Sequence, residues 1–239
     1  MAVRLDRLLS NLGYCSRKEV GKLVKSGALT NLDGKPYKKA AEKVEPHHVK
    51  LHGELLDPAE LIILLHKPSG YTCSHRDKPP LIFELLPPRY FHRDPQLSCV
   101  GRLDKDTTGL ILLTDNGQLL HRLISPNWKV EKFYQVETLH PVEQSQVERL
   151  AEGGWCLPDD EKPLAPARCR RTSERSLELV LTEGRYHQVK LMMAAVGNPL
   201  VKLHRSQFGT WSLHDLKEGE WKIFSENERA QLVKSCGLT

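Results

Sequence analysis

The stretch Gly101-Arg102-Leu103-Asp104-Lys105-Asp106-Thr107-Thr108-Gly109 runs directly into Leu110-Ile111-Leu112-Leu113-Thr114. The second half is a short, uninterrupted apolar run, and a buried strand reads that way. The first half is a polar loop held between two glycines at the end of that strand, where a scaffold can position a carboxylate. Asp104 and Asp106 are two apart and would share a face in extended chain, so a cation site can be drawn from them. Arg102 and Lys105 would compete with that cation, and no third ligand lies close by. Taken alone, the run leaves a structural turn, a metal site and a positioned carboxylate open.

Downstream, Asp115-Asn116-Gly117 breaks the strand, and Gln118 to Ile124 reads as a short helix. Phe133 to Leu139 alternates as a strand. Pro141 suits the first turn of a helix reaching about Ala151. Ser176 to Thr182 alternates Leu177, Leu179 and Leu181, a strand pattern. Glu183-Gly184-Arg185 then turns into a helix, Tyr186 to Val196, closed by Gly197. Upstream, Leu61 to Leu65 starts a core strand ended by His66-Lys67-Pro68-Ser69-Gly70. Residues 74–96, rich in Pro, Arg, His and Asp, read as an irregular surface segment with one amphipathic piece near Leu81 to Leu86. Strands and helices mix without a regular βαβ rhythm, which predicts an α+β fold.

The first 58 residues have a different character. Leu5, Leu8, Leu9 and Leu12 fall at helical spacing and predict a helix from Val3 to Leu12, ended by Gly13. Ser16-Arg17-Lys18-Glu19 fits a capping box for a second helix reaching about Ser26. Its inner face is Val20, Leu23 and Val24, while Arg17, Lys18, Lys22 and Lys25 point elsewhere. Ala28 to Leu32 reads as a strand, Asp33-Gly34 as a tight turn and Val49-Lys50-Leu51 as another strand. Gly53, Asp57 and Pro58 give residues 53–60 the look of a linker. The chain, 239 residues long, therefore divides into domains 1–58 and 59–239. Residues 1–58 hold 11 Lys/Arg against 7 Asp/Glu, the rest 24 against 23. A compact basic module beside a near-neutral body suits a nucleic-acid grip. The order of elements over residues 3–52 resembles the small RNA-binding fold named after ribosomal protein S-four. Arg4-Leu5-Asp6, Ser16-Arg17 and the strand-turn around Asp33-Gly34 carry the likeness. Leu29-Thr30-Asn31-Leu32 departs from the usual valine-rich strand. The resemblance implies phosphate contacts from Arg4, Arg17, Lys18, Lys22 and Lys25.

Composition removes several classes. Apolar residues make up 39% and charged residues 27% of the chain, so a core can form. No apolar stretch approaches the roughly 20 residues that span a bilayer. The start, Met1 to Arg7, lacks the apolar stretch of a signal peptide, and a cytoplasmic protein with no membrane partner is expected. The six cysteines, at 15, 73, 99, 156, 169 and 236, have no zinc spacing and read as reduced thiols. No metal is expected.

Four ordered segments then carry a family resemblance. Gly101 to Leu110 resembles the catalytic signature of the pseudouridine synthases. Glu131-Lys132-Phe133-Tyr134-Gln135-Val136 resembles the family's tyrosine segment. Glu183-Gly184-Arg185-Tyr186-His187-Gln188-Val189-Lys190 resembles its last core motif, and His66-Lys67-Pro68-Ser69-Gly70 its opening motif. His121-Arg122-Leu123-Ile124-Ser125-Pro126 and Leu203-His204-Arg205 favour the branch acting on small-subunit ribosomal RNA. The resemblance implies a mixed, mainly antiparallel sheet. It implies catalysis by Asp104 with Tyr134 and Lys190, substrate contacts from Arg102, Arg185 and His187, and isomerisation of a uridine without cofactor. Leu191 stands where many relatives of this branch have arginine, a departure at a substrate-contact position. Ribosomal RNA, in a small-subunit assembly intermediate, is the implied partner of a monomeric enzyme. The alternatives are a large-subunit rRNA enzyme of the same branch, a non-catalytic RNA-binding assembly factor, and a metal-dependent hydrolase built on Asp104 and Asp106.

Overall fold

The structure, a computed structural model, describes residues 2–158, 160–235 and 237. The N-terminal part runs β1 (Val3–Arg4), α1 (Leu5–Asn11), α2 (Arg17–Lys25), β2 (Leu29–Thr30), β3 (Lys43–Val44), β4 (Lys50–Leu51) and β5 (Glu54–Leu55). Leu5, Leu8, Leu9 and Leu12 meet Val20, Leu29, Val44 and Val49 in a core of their own. Glu19 closes the capping box, its carboxylate accepting from the Ser16 amide at 2.8 Å and hydroxyl at 2.6 Å. The first helix is shorter than its leucine spacing predicts. Val3 and Arg4 pair antiparallel with Val44 and Lys43 instead, because the long-range strand satisfies backbone groups that a helix end would leave open.

The second part runs β6 (Ile62–Lys67), β7 (Ser98–Cys99), β8 (Thr108–Thr114), α3 (Gly117–Ile124), β9 (Lys132–Thr138), α4 (Gln144–Glu152), β10 (Arg168–Ser173), β11 (Ser176–Leu181), α5 (Gln188–Ala195), β12 (Leu200–Phe208), β13 (Trp211–Ser212), β14 (Trp221–Ile223) and α6 (Glu226–Ser235). One sheet orders the main strands β10-β11-β9-β12-β8-β6-β14. Its pairs are antiparallel except β8 with β12. The α+β, mainly antiparallel expectation therefore holds. The apolar runs of β6 and β8 are buried on both faces. Ile63, Leu65, Ile111 and Leu113 face one apolar layer with α4 and α5. Ile62, Leu64, Leu110 and Leu112 face another with α3 and α6. Each such side chain contributes roughly 1.5–3 kcal/mol by leaving water.

Three expectations need correction. Residues 53–60 are not a free linker: β5 pairs with β4, and Asp57 is held by Tyr14, Arg89 and Tyr90. Pro141 does not open α4, which starts at Gln144. Asn198 donates to the carbonyls of His140 and Pro141, holding that segment extended. The helix expected from Tyr186 begins at Gln188, because His187 adopts a left-handed conformation. Cys15, Cys73, Cys99, Cys156 and Cys169 are free thiols; Cys236 lies outside the described residues.

Candidate active site

Asp104 sits in a loop that the Lys67 side chain of β6 and the backbone of the following turn hold from beneath. The ammonium of Lys67, which is 0% exposed, donates to the carbonyls of Thr107 (2.7 Å), Pro68 (3.0 Å) and Lys105 (3.2 Å). The Gly70 amide adds a bond to the Lys105 carbonyl at 2.7 Å. A turn closes where the Thr107 amide donates to the Asp104 carbonyl. Burial pushes the Lys67 pKa down, while Cys73, Asp106 and Asp104 act the other way. At the loop's far end Gly109 has φ +115°, and a Cβ there would lie 2.3 Å from the Arg205 carbonyl oxygen. Only glycine lets β12 approach β8 this closely.

Helix α5 supplies the other wall. Lys190 places its Nζ 3.3 Å from Asp104 Oδ2 and 2.6 Å from Asp106 Oδ1. Burial acts against the Lys190 cation, but its bond to Asp106 and the charges of both aspartates outweigh it and raise its pKa. The same bond holds the Asp106 carboxyl below its ordinary range, against a smaller opposing effect of burial. Lys190 therefore shares its charge between two carboxylates, with the shorter contact going to Asp106. His187, at φ 50°, sets its Nε2 3.3 Å from Asp104 Oδ1. Asp104 thus faces a cationic side chain on one oxygen and an imidazole on the other. A cavity of about 480 Å³ opens between them, lined by Ser69, Gly70, Asp104, Lys105, Asp106, His187 and Lys190. Its size suits a nucleoside-scale ligand. Tyr186, 71% exposed, stacks on His187 with ring centroids 3.8 Å apart and turns an aromatic face outward beside this cavity.

The remaining predicted residues divide. Tyr134 is buried on β9 and shares the apolar cluster of Leu103 and Val189, the neighbours of Asp104 and Lys190. Arg102 is exposed in the Asp104 loop. Arg185 is already engaged: it pairs with Asp160 (2.8 Å) and Glu183 (2.9 Å) and donates to the Lys162 and Pro163 carbonyls. That makes it a staple for the 160–163 segment rather than a free substrate contact. Leu191 packs half-buried against the apolar core, so its side chain offers no polar contact. In the N-terminal part, Arg17, Lys18, Lys22 and Lys25 are exposed on α2. Arg4 is exposed but bonded to Asp6 at 2.6 Å. Among the described residues, no three His, Cys, Asp or Glu side chains gather to hold a metal ion. Lys190 occupies the position between Asp104 and Asp106 that a shared cation would need. Sequence reasoning missed the anchoring role of Lys67 and the contact of His187 with Asp104. A lysine ending an otherwise apolar strand was the available signal for the first.

The chain resembles known proteins along most of its length. A family described as RNA pseudouridylate synthase matches residues 61–195, and the S4 domain matches residues 3–50. The chain is 39% identical to the ribosomal small subunit pseudouridine synthase A of Pasteurella multocida, covering 97% of this chain and 100% of that protein. It is 40% identical to an uncharacterized RNA pseudouridine synthase of Bacillus subtilis, over 95% and 96% of the two chains. A crystal structure of a pseudouridylate synthase superposes with a TM-score of 0.67 at 33% identity, covering 97% of this chain and all of the other.

Proposed function

Because the chain belongs to the RNA pseudouridylate synthase family and carries an S4 domain, we propose that it isomerises one uridine of small-subunit (16S) ribosomal RNA to pseudouridine, with Asp104 as the catalytic carboxylate. The observation that carries the reading is Asp104 itself: a carboxylate on a loop pinned from below by Lys67, flanked by Lys190 and His187, at the mouth of a cavity. The reaction breaks the bond between ribose and nitrogen 1 of uracil, turns the base and rejoins it through carbon 5. It needs neither net redox change nor hydrolysis.

A carboxylate can serve either as nucleophile toward the sugar or as base toward a sugar proton. Both roles require an ionised oxygen held in place. Lys190 sets a positive charge 3.3 Å from one oxygen of that carboxylate. Tyr134 offers a ring for the base and a phenol for the carbon-5 proton. The uridine must leave its stack to enter, and the Tyr186–His187 pair offers a stacking surface beside the cavity. Arg102 and His187 position the substrate. Arg17, Lys18, Lys22 and Lys25 on α2 contact RNA phosphates, so affinity falls with salt. We set the boundary between RNA-binding module and catalytic domain at residues 58/59. The enzyme acts as a monomer in the cytoplasm on an assembly intermediate of the small subunit; the name of the Pasteurella relative gives the ribosomal small subunit for that protein.

The test is site-resolved pseudouridine mapping on ribosomal RNA from a strain lacking the gene, with the purified protein added back to unmodified RNA. One 16S uridine should change. Asp104→Asn should abolish the product while leaving the fold intact. Retained activity in Asp104→Asn would remove Asp104 from the chemistry, and a product in large-subunit RNA would move the target.

A further inference from the structure

The junction between the two parts is a dense polar joint centred on Asp57. Its Oδ2 accepts from Arg89 Nε at 2.7 Å and from the Tyr14 hydroxyl at 3.0 Å. Its Oδ1 accepts from Arg89 Nη2 at 3.1 Å and from the Tyr90 hydroxyl at 3.1 Å. The Asp57 amide donates back to the Tyr14 oxygen at 3.0 Å. The Arg89 guanidinium also lies over both rings, 5.4 Å from Tyr14 and 4.8 Å from Tyr90. Tyr14 belongs to the RNA-binding module, and Arg89 and Tyr90 belong to the catalytic domain, so one carboxylate ties both. Burial pulls the Asp57 carboxyl up, but Arg89 and the two hydroxyls hold it below its ordinary range. The joint therefore stays charged at neutral pH.

Backbone contacts reinforce it on both sides. Gly13, at φ +80°, sits so near the Arg89 carbonyl that an added Cβ would lie 2.0 Å from its oxygen. The Asp94 amide donates to the Asn11 carbonyl at 2.8 Å. Beneath Asp57, buried Arg93 donates to the carbonyls of Pro58 (3.0 Å) and Ala59 (3.2 Å) and to Asp115 (2.8 Å). Asp115 in turn accepts from the Leu61 amide at 2.8 Å. Residues 57–61 are thus clamped at successive positions, and Asp115 directly follows β8, the strand that begins beside the Asp104 loop. A flexible tether would have none of these bonds.

We propose that Asp57 is a positioning residue for the reaction. The joint fixes the RNA-binding module at one angle and span from the Asp104 cavity, so that the RNA element held by α2 dictates which uridine reaches the carboxylate. The inference rests on the function proposed above and adds a rule for target choice: selection by a rigid span rather than by recognition of neighbouring bases in the pocket. Its ligand is a folded RNA that bridges both parts.

The test uses the full chain with Asp57→Asn, which keeps side-chain shape and removes the charge, and Tyr14→Phe, which deletes only the module-side hydroxyl. Residual dipolar couplings of the wild type should fit one alignment tensor for residues 3–52 and 61–223, whereas Asp57→Asn should require two. On folded 16S RNA, Asp57→Asn should raise KM about 10-fold through loss of effective concentration, and mapping should find extra modified uridines near the target. On a short hairpin with only the target stem, kcat and KM should stay at wild-type values. Tyr14→Phe should move in the same direction by a smaller factor, and it carries the test if Asp57→Asn fails to fold. A single tensor in a folded variant, unchanged target choice, or an equal loss on both RNAs would overturn the proposal. If the wild type modifies neither RNA, the function reading falls, and the coupling measurement alone then decides whether the joint is rigid.

Discussion

Lys67→Met is the most informative single change outside Asp104, Tyr134 and Lys190, the residues proposed to carry the chemistry. Methionine keeps the length of the side chain and removes the ammonium that now binds three carbonyls. The Lys105 carbonyl retains its bond from Gly70. The carbonyls of Pro68 and Thr107 lose a charged donor, and a buried acceptor left unmet costs about 1–3 kcal/mol. The Thr107 carbonyl is fully buried and the Pro68 carbonyl half-buried, so the two amount to roughly 2–5 kcal/mol, offset in part because methionine needs no desolvated charge. A net loss of about 2–4 kcal/mol follows, and in a chain of this size about 2–4 °C of Tm accompanies each kcal/mol. Tm should therefore drop by roughly 4–16 °C. The same loop carries Asp104, and a 1 Å misplacement costs on the order of 100-fold in rate. Below its melting range, the variant should show kcat reduced about 10- to 100-fold with a smaller change in KM. Thermal melts by circular dichroism, and release of the carbon-5 hydrogen as tritium from labelled RNA, measure the two effects. A Tm within 2 °C of wild type together with an unchanged kcat would refute the idea that Lys67 holds the catalytic loop.

Other substitutions probe the rest of the site. Gly109→Ala would drive a methyl group against Arg205 at positive φ and should cost roughly 2–6 kcal/mol from strain and overpacking; a urea midpoint equal to wild type would contradict it. Arg185→Gln should lower stability and leave kcat and KM within about 3-fold, because its hydrogen bonds stay inside the protein; a selective rise in KM would restore it as a substrate contact. Lys132 offers a pH test. Burial, aided by nearby Arg205, pushes its pKa down to about 8 against an ordinary 10.5. Between those values the unfolded chain binds more protons than the folded one, so this group makes stability rise with pH. Urea melts at pH 7.5, 8.5 and 9.5 should show wild type gaining relative to Lys132→Met across that window; a constant difference would contradict the shift.

Much of this was legible in the sequence because it was local. The apolar runs Leu61 to Leu65 and Leu110 to Leu113 mark core strands, and Ser16 with Glu19 marks a helix start. The motifs point to Asp104, Tyr134 and Lys190 without any long-range contact. The structure brings Asp104 and Lys190 to 3.3 Å and seats Tyr134 in the cluster beneath their neighbours. What stayed hidden depended on partners distant in sequence. Arg185 reads as a free cation in sequence, because Asp160 and the carbonyls of Lys162 and Pro163 reach it only through the fold. Residues 53–60 looked like a linker because Gly53 and Pro58 are loop residues, and nothing nearby reveals that Asp57 meets Tyr14 and Arg89. His187 reads as helical from its neighbours, yet the start of α5 demands a left-handed turn there.

The order of the central sheet has a further consequence, for the timing of folding. Asp106 and Lys190 meet across 84 residues, Leu110 and Arg205 across 95, and His66 and Leu216 across 150. Loops of that length must close before their contacts repay the lost entropy, and sheets built from distant segments form slowly. At about 5–20 residues per second of synthesis, the N-terminal module can form its own core well before β12 and β14 leave the ribosome. A nascent chain would thus acquire its RNA grip before its catalytic pocket, and could dock on RNA seconds before it is able to modify it.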